Sequence, residues 1–187
     1  MCKLNFVLTA STTTLCPQGH QSSLFFLYSR LRSRALLAAL GDSLRQLQVF
    51  NTLGFECTLE EVDLEDITAS QVNTLKACMS EGSGAGNCPV LERDTFDTNK
   101  CLRGIYEDLK AYRAELKDFS DQKVLTTIDE MMKALQVGSP NAPQPSSNTA
   151  LTFKERMRLC SVLHAFRIRT VTINRMLNHL TSLESSL

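Results

Sequence analysis

Residues 152–183 read TFKERMRLCSVLHAFRIRTVTINRMLNHLTSL, and the spacing of apolar side chains in this stretch decides the fold. Leu159, Leu163, Phe166, Thr170, Ile173, Leu177 and Leu180 step by four and three without a break, as one buried face of a helix does. Thr152-Phe-Lys-Glu155 opens the stretch as a capping box, in which each side chain satisfies a backbone amide left free by the first turn. A helix from Thr152 to about Leu183 is predicted.

The same periodicity recurs three times upstream of this stretch. Leu37, Leu40, Leu44 and Leu47 mark a first helix over about Leu24 to Asn51, with Gly54 just past its end as a stop. Leu102, Ile105, Leu109, Tyr112, Leu116 and Phe119 mark a second between about Phe96 and Phe119. Ser120-Asp121 can cap a third, where Val124, Ile128, Met131 and Leu135 repeat until Gly138 and Pro140 end it. No run alternates as a strand would.

The links between these helices carry the topology. The first spans about forty residues, the second only a few and the third about fourteen, rich in Pro, Ser and Asn. A short link forces the second and third helices antiparallel, whereas long links let the first pair and the last pair run parallel. The expected fold is all-α: an up-up-down-down four-helix bundle with two long crossovers. An up-down-up-down bundle with loose links is the structural alternative. Ser80 to Asn87 and Gly138 to Thr149 are the low-complexity loops.

A chain of 187 residues that is 43% hydrophobic can bury one core, so one domain is expected. Residues 1–23 are assigned to a leader, with Leu4 to Ala10 as a short apolar core, and residues 24–187 to the bundle. Basic and acidic side chains number 20 each, which provides no stripe for nucleic acid and no bulk attraction to a membrane surface. No apolar run reaches the roughly 18 residues of a membrane span.

Cysteines stand at positions 2, 16, 57, 78, 88, 101 and 160, with no C-x-x-C pair and no nearby histidine expected to complete a zinc site. Disulfides in a secreted chain are the favoured reading, and loss of Cys2 with a leader would leave six that can all pair. Scattered reduced thiols in an intracellular helical adaptor are the competing one.

Nothing points to an enzyme: there is no Gly-rich phosphate loop, no H-E-x-x-H and no G-x-S-x-G. His164 and His179 stand about 22 Å apart along one helix, too far to share an ion. Glu60-Glu61-Val62-Asp63-Leu64-Glu65-Asp66 lacks the glycine turn and spacing of a calcium loop and reads as a solvated loop, with Val62, Leu64 and Ile67 available to anchor it. Catalytic, metal and cofactor sites are therefore not expected.

What remains is the other side of the last helix. Opposite its core seam lie Met157, His164, Ile168, Val171, Arg175 and His179, bordered by Cys160 and Asn178. Apolar area around a single arginine is the composition of a binding hot spot. The alternative is that the crossover between the first two helices folds over this stripe and buries it. Arg167 and Arg169, to either side, read as solvated flanks with buried stems.

Four stretches of the chain resemble the interleukin-12 alpha subunit family: Cys57-Thr-Leu-Glu-Glu-Val-Asp-Leu-Glu-Asp-Ile-Thr68, Cys101-Leu-Arg-Gly-Ile-Tyr-Glu-Asp-Leu-Lys110, Ile128-Asp-Glu-Met-Met-Lys-Ala-Leu135 and Leu159-Cys-Ser-Val-Leu-His-Ala-Phe-Arg-Ile-Arg-Thr-Val-Thr-Ile-Asn-Arg175. The likeness runs from about Ser33 to the C-terminus. It implies a four-helix bundle secreted as a heterodimer with a receptor-like beta subunit, which signals through paired cell-surface cytokine receptors in type 1 immunity. It makes Arg175 the match of a helix arginine that enters an acidic pocket on the beta subunit. Val171, Ile168, His164, Thr172 and His179 are the expected partner contacts around it.

The same resemblance implies the pairs Cys57 with Cys160 and Cys78 with Cys101, leaving Cys16 for Cys88. Two departures bear on the third pair. Cys16 lies upstream of where the family's first cysteine falls, and Cys88 is the only cysteine placed to match one that bonds to the beta subunit. Either that interchain bond is absent, or Cys88 makes it and Cys16 leaves with the leader. A free-standing helical cytokine and the alpha subunit of a sister heterodimer are the neighbouring alternatives. No N-x-S/T sequon is present, so no N-linked glycan is expected.

Overall fold

The computed structural model describes residues 19–78, 96–117, 121–135 and 151–184, with side chains from 24 to 183. Five helices occupy them: α1 Gly19–Phe50, α2 Thr74–Cys78, α3 Thr98–Glu115, α4 Gln122–Ala134 and α5 Phe153–Glu184. Among the described residues there is no strand. Cys2, Cys16, Cys88, both low-complexity loops and Phe119 lie outside them, as do residues 1–18 of the expected leader. The first helix begins at Gly19, within the stretch assigned to that leader.

Local chemistry starts and stops these helices where the chain offers it. At α5, the Thr152 amide donates to Glu155 Oε2 at 2.7 Å and the Glu155 amide to Thr152 Oγ1 at 3.3 Å, the reciprocal bonds of the capping box. Asp121 caps α4, accepting from the Lys123 and Val124 amides at 3.0 and 3.3 Å. Asp97 does the same for α3 through the Lys100 amide at 2.9 Å. Beyond Phe50 the chain reverses through Asn51 at φ 46° and Gly54 at φ 79°, left-handed positions that a helix cannot contain.

Cross-helix bonds fix the direction of each neighbour. Ser29, early in α1, reaches the Ala134 carbonyl at the end of α4, while Lys123 Nζ at the start of α4 lies 2.9 Å from Asp42 late in α1. Thus α1 and α4 are antiparallel. In the same way Arg156, early in α5, donates to the Leu53 carbonyl at 2.7 Å, and Ser33 donates to Asn174 at 2.9 Å, so α1 opposes α5. Arg158 pairs with Glu115 at the end of α3, and Phe96 before α3 meets His179 late in α5, so α3 opposes α5. Arg113 of α3 holds Asp129 of α4 across the short link. The backbones of α1 and α3, and of α4 and α5, do not approach one another closely among the described residues, so the two parallel pairs are the diagonals of an up-up-down-down bundle.

The core follows the expected seams closely in three helices. Ile105, Leu109, Val124, Ile128, Met131, Leu163, Phe166, Ile173 and Leu177 are all fully buried, and Tyr112 stacks on Phe166 with ring centroids 4.3 Å apart. In α1 the seam differs by a residue: Leu36 is fully buried, and Leu37 and Leu47 are only half-buried. Lying between α4 and α5, this helix buries a face wider than one seam, and Ser29, Ser33, Ala39 and Ser43 supply the small residues for close approach.

The crossover after α1 is fastened rather than loose. Cys57–Cys160 bonds it to α5 across 103 residues of sequence, and Cys78–Cys101 bonds α2 to α3. The acidic stretch, expected to be a solvated loop, provides the rest. Glu65 pairs with Arg158 at 3.0 Å, Asp66 with Arg169 at 2.6 Å, and Ser161 donates to the Asp63 carbonyl. Val62 is buried and Ile67 packs on the core as anticipated, but Leu64 stays exposed at 50%.

Arg169, expected on a solvated flank, is instead only 4% exposed. Besides Asp66 it faces Asp108 of α3 at 3.5 Å, and Asp108 accepts from both the amide and the hydroxyl of Thr74 at the start of α2. One guanidinium therefore joins the crossover, α3 and α5. For Asp66, burial works against the charge, but hydrogen bonds from Thr68 and the Arg169 cation outweigh it and hold the carboxyl below its ordinary value. Burial and the Asp66 charge push the Tyr112 phenol up.

Three outcomes follow for stability. Gly104 of α3 lies so close to α2 that a Cβ would stand 2.9 Å from the Asn73 carbonyl oxygen and closer still to the Ala77 Cβ. Gly104→Ala should destabilise the fold by about 1–3 kcal/mol in denaturant titration, through overpacking. Arg169→Ala, which leaves Asp108 buried and uncompensated, should cost about 3–5 kcal/mol in the same measurement. Because the folded-state value of Asp66 is depressed, its contribution is complete above about pH 4 and is lost as pH falls through the folded value; Asp66→Asn should flatten that acid limb in pH-dependent thermal melts.

Candidate partner-binding face of the last helix

The helix α5 is 32 residues long, and its side away from the core divides into two halves with different fates. In the first half the crossover covers it. Met157 is half-buried against the core cluster, Cys160 is fully buried in its disulfide, and Ser161 is held under Asp63. His164, expected among the partner contacts, is only 7% exposed, with Nε2 3.2 Å from the Cys57 carbonyl oxygen. It belongs to the inner contact because the disulfide one turn earlier draws the crossover across it.

Beyond His164 the cover ends. Ile168 is 49% exposed, Val171 and Thr172 are half-buried, and Arg175 is exposed. The Thr172 hydroxyl turns back to the Ile168 carbonyl at 3.4 Å. Arg175 makes no ion pair or side-chain hydrogen bond among the described residues. His179 sets its ring edge-on against Phe96 at 5.5 Å, and Asn178 borders the face half-buried. Arg167 is exposed, as its position predicted.

The structure also brings in residues the helical spacing could not point to. Phe96 closes one margin through His179, and α2, which packs against α5, exposes Leu75 at 41% beside Val72 at 60%. A five-residue helix carries too little periodicity to be read, and only its contact with α5 relates it to the face.

Chemically, this face suits recognition rather than turnover. A guanidinium carries five N–H donors in a fixed fork, matched to a carboxylate, and apolar neighbours that exclude water strengthen such a pair. The one group of metal-type donors among the described residues is Cys57, Cys160 and His164, whose ligating atoms lie within 4.8 Å of one another. A histidine thus does stand beside a cysteine pair, contrary to the sequence reading. The two sulfurs are bonded to each other, so they present no thiolates to an ion.

Comparison with known proteins agrees with this architecture. The family model described as Interleukin-12 alpha subunit matches residues 9–183, reaching further upstream than the four stretches quoted above. Interleukin-12 subunit alpha of Felis catus is 40% identical, with 80% of each chain covered. The corresponding subunits of Sus scrofa and Canis lupus familiaris are each 39% identical over the same shares. Among the described residues a helical bundle with two internal disulfides and no strand, together with a family match along nearly the whole length of the chain, leads to one assignment: this chain belongs to the interleukin-12 alpha subunit family of cytokines.

Proposed function

We propose that the chain is a secreted, extracellular cytokine alpha subunit that pairs, through the open half of α5, with a receptor-like beta subunit, and that the heterodimer signals through cell-surface cytokine receptor chains in immune regulation. The observation that carries this reading is Arg175: an exposed cation without a partner among the described residues, set among Ile168, Val171 and Thr172 on a face the described bundle leaves open. An acidic pocket on the partner that receives the guanidinium would complete both its hydrogen bonding and the burial of its apolar surround. His179 contributes at the margin, where its contact with Phe96 already orients the ring.

Secretion is supported by two buried disulfides, which persist in oxidising compartments, and no described helix is long and apolar enough to cross a membrane. The role is one of binding, with no reaction to catalyse. Residues 1–23 are assigned to the leader within this proposal; Cys16 then leaves with it, and Cys88 is assigned to an intersubunit bond.

Co-expression with a beta subunit, followed by non-reducing electrophoresis of the medium, tests the reading. Arg175→Glu should abolish the secreted heterodimer, since truncating one partner of a desolvated ion pair costs on the order of 2 to 5 kcal/mol and a reversed charge costs more. Arg167→Glu, the same charge change off the face, should leave it intact. Normal recovery of the Arg175→Glu heterodimer would refute the proposal, and the mobility of the unreduced band reports whether the subunits are covalently joined.

A further inference from the structure

Cys57 and Cys160 lie in the core, and His164, buried beside them, takes no part in the partner face. Cys160 and His164 stand one helical turn apart on α5, so the helix alone brings the imidazole over the thiol position before any crossover arrives. When the crossover docks, Cys57 enters the same space: the two sulfurs and a ring nitrogen lie within 4.8 Å, all three residues are buried, and the Cys57 carbonyl oxygen is 3.2 Å from His164 Nε2. That bond holds the ring between the backbone of one cysteine and the side chain of the other.

Closing this pair needs a thiolate, because the thiolate and not the thiol attacks sulfur. A free thiol is only a few per cent thiolate near neutrality, and apolar burial makes it a still poorer one. An adjacent imidazole reverses this by taking the proton and standing as the counter-ion, as histidine does for catalytic cysteines. The separation here is within reach of proton transfer by a small rotation or one water.

We propose that His164 is the base that drives formation of the Cys57–Cys160 disulfide during oxidative folding. In the step, Cys57 has already exchanged with a small-molecule disulfide such as oxidised glutathione and carries one glutathionyl group. The imidazole removes the Cys160 thiol proton, the Cys160 sulfur attacks Cys57 Sγ, and the Cys57–glutathione bond breaks. The departing glutathione thiolate takes the proton back from the imidazolium. Two protein thiols are oxidised, and one glutathione disulfide is reduced to two thiols. The second disulfide, Cys78–Cys101, has no such histidine among the described residues and should close without this help.

The test is refolding of the reduced full chain in a glutathione redox buffer, with alkylation at timed intervals and peptide mass mapping of each disulfide. His164→Ala and His164→Gln should both slow closure of Cys57–Cys160 by about tenfold or more, while Cys78–Cys101 closes at the wild-type rate. His164→Gln retains a donor for the Cys57 carbonyl, so it separates the base from the hydrogen bond if the alanine variant folds poorly. Added imidazole should restore the rate of His164→Ala and leave the wild type unchanged. Wild-type closure in His164→Gln, or equal slowing of both disulfides, would overturn the proposal.

Discussion

A guanidinium removed from water must be neutralised where it lies, and Arg169 meets that demand by drawing two carboxylates from two other parts of the chain. Asp66 comes from the crossover and Asp108 from α3, and Asp108 in turn caps the start of α2 through Thr74. The crossover, α2, α3 and α5 are therefore registered to one another at a single buried charge. Apolar packing alone tolerates sliding, whereas a buried charge with directional bonds does not.

The two disulfides act on the same strap from either side of that point. Cys57–Cys160 closes a loop spanning 103 positions and would contribute roughly 4 to 5 kcal/mol in the chain-entropy picture, while Cys78–Cys101 closes one spanning only 23. Between them the strap lies across the first half of the outer side of α5 and turns away at Arg169. Where it lies, Cys160, Ser161 and His164 become interior; where it turns away, Ile168 and Arg175 remain open. The boundary of the partner face is thus set by the fastening of a loop, and the helix itself has no discontinuity there.

This division also separates two kinds of polar chemistry on one helix. Arg169 is buried and its charge is neutralised by carboxylates of its own chain, with Nη1 left without a hydrogen bond among the described residues, so it serves to register the fold. Arg175, six residues on, is exposed and unpaired among the described residues, so its bonding capacity remains for another molecule. Two arginines of one segment take opposite roles because one lies toward α3 and the crossover and the other toward solvent.

The order and direction of the four long helices, the capping box at Thr152, the stop at Gly54 and nearly every core position of α3, α4 and α5 were legible in the sequence, because helical periodicity, capping and link length act over a few residues at a time. The open cation at Arg175 was legible for the same reason, since a wheel locates the side opposite a seam. The tertiary structure alone decided which residues on that side are covered. His164 and Ile168 are alike on a wheel, and only the path of a strap from a distant part of the chain makes one interior and the other exposed. It also decided that Arg169 is a buried tie and that His164 stands beside a disulfide. Those outcomes depend on partners about 100 residues away, at Asp66 and Cys57, and no local pattern encodes a contact of that range.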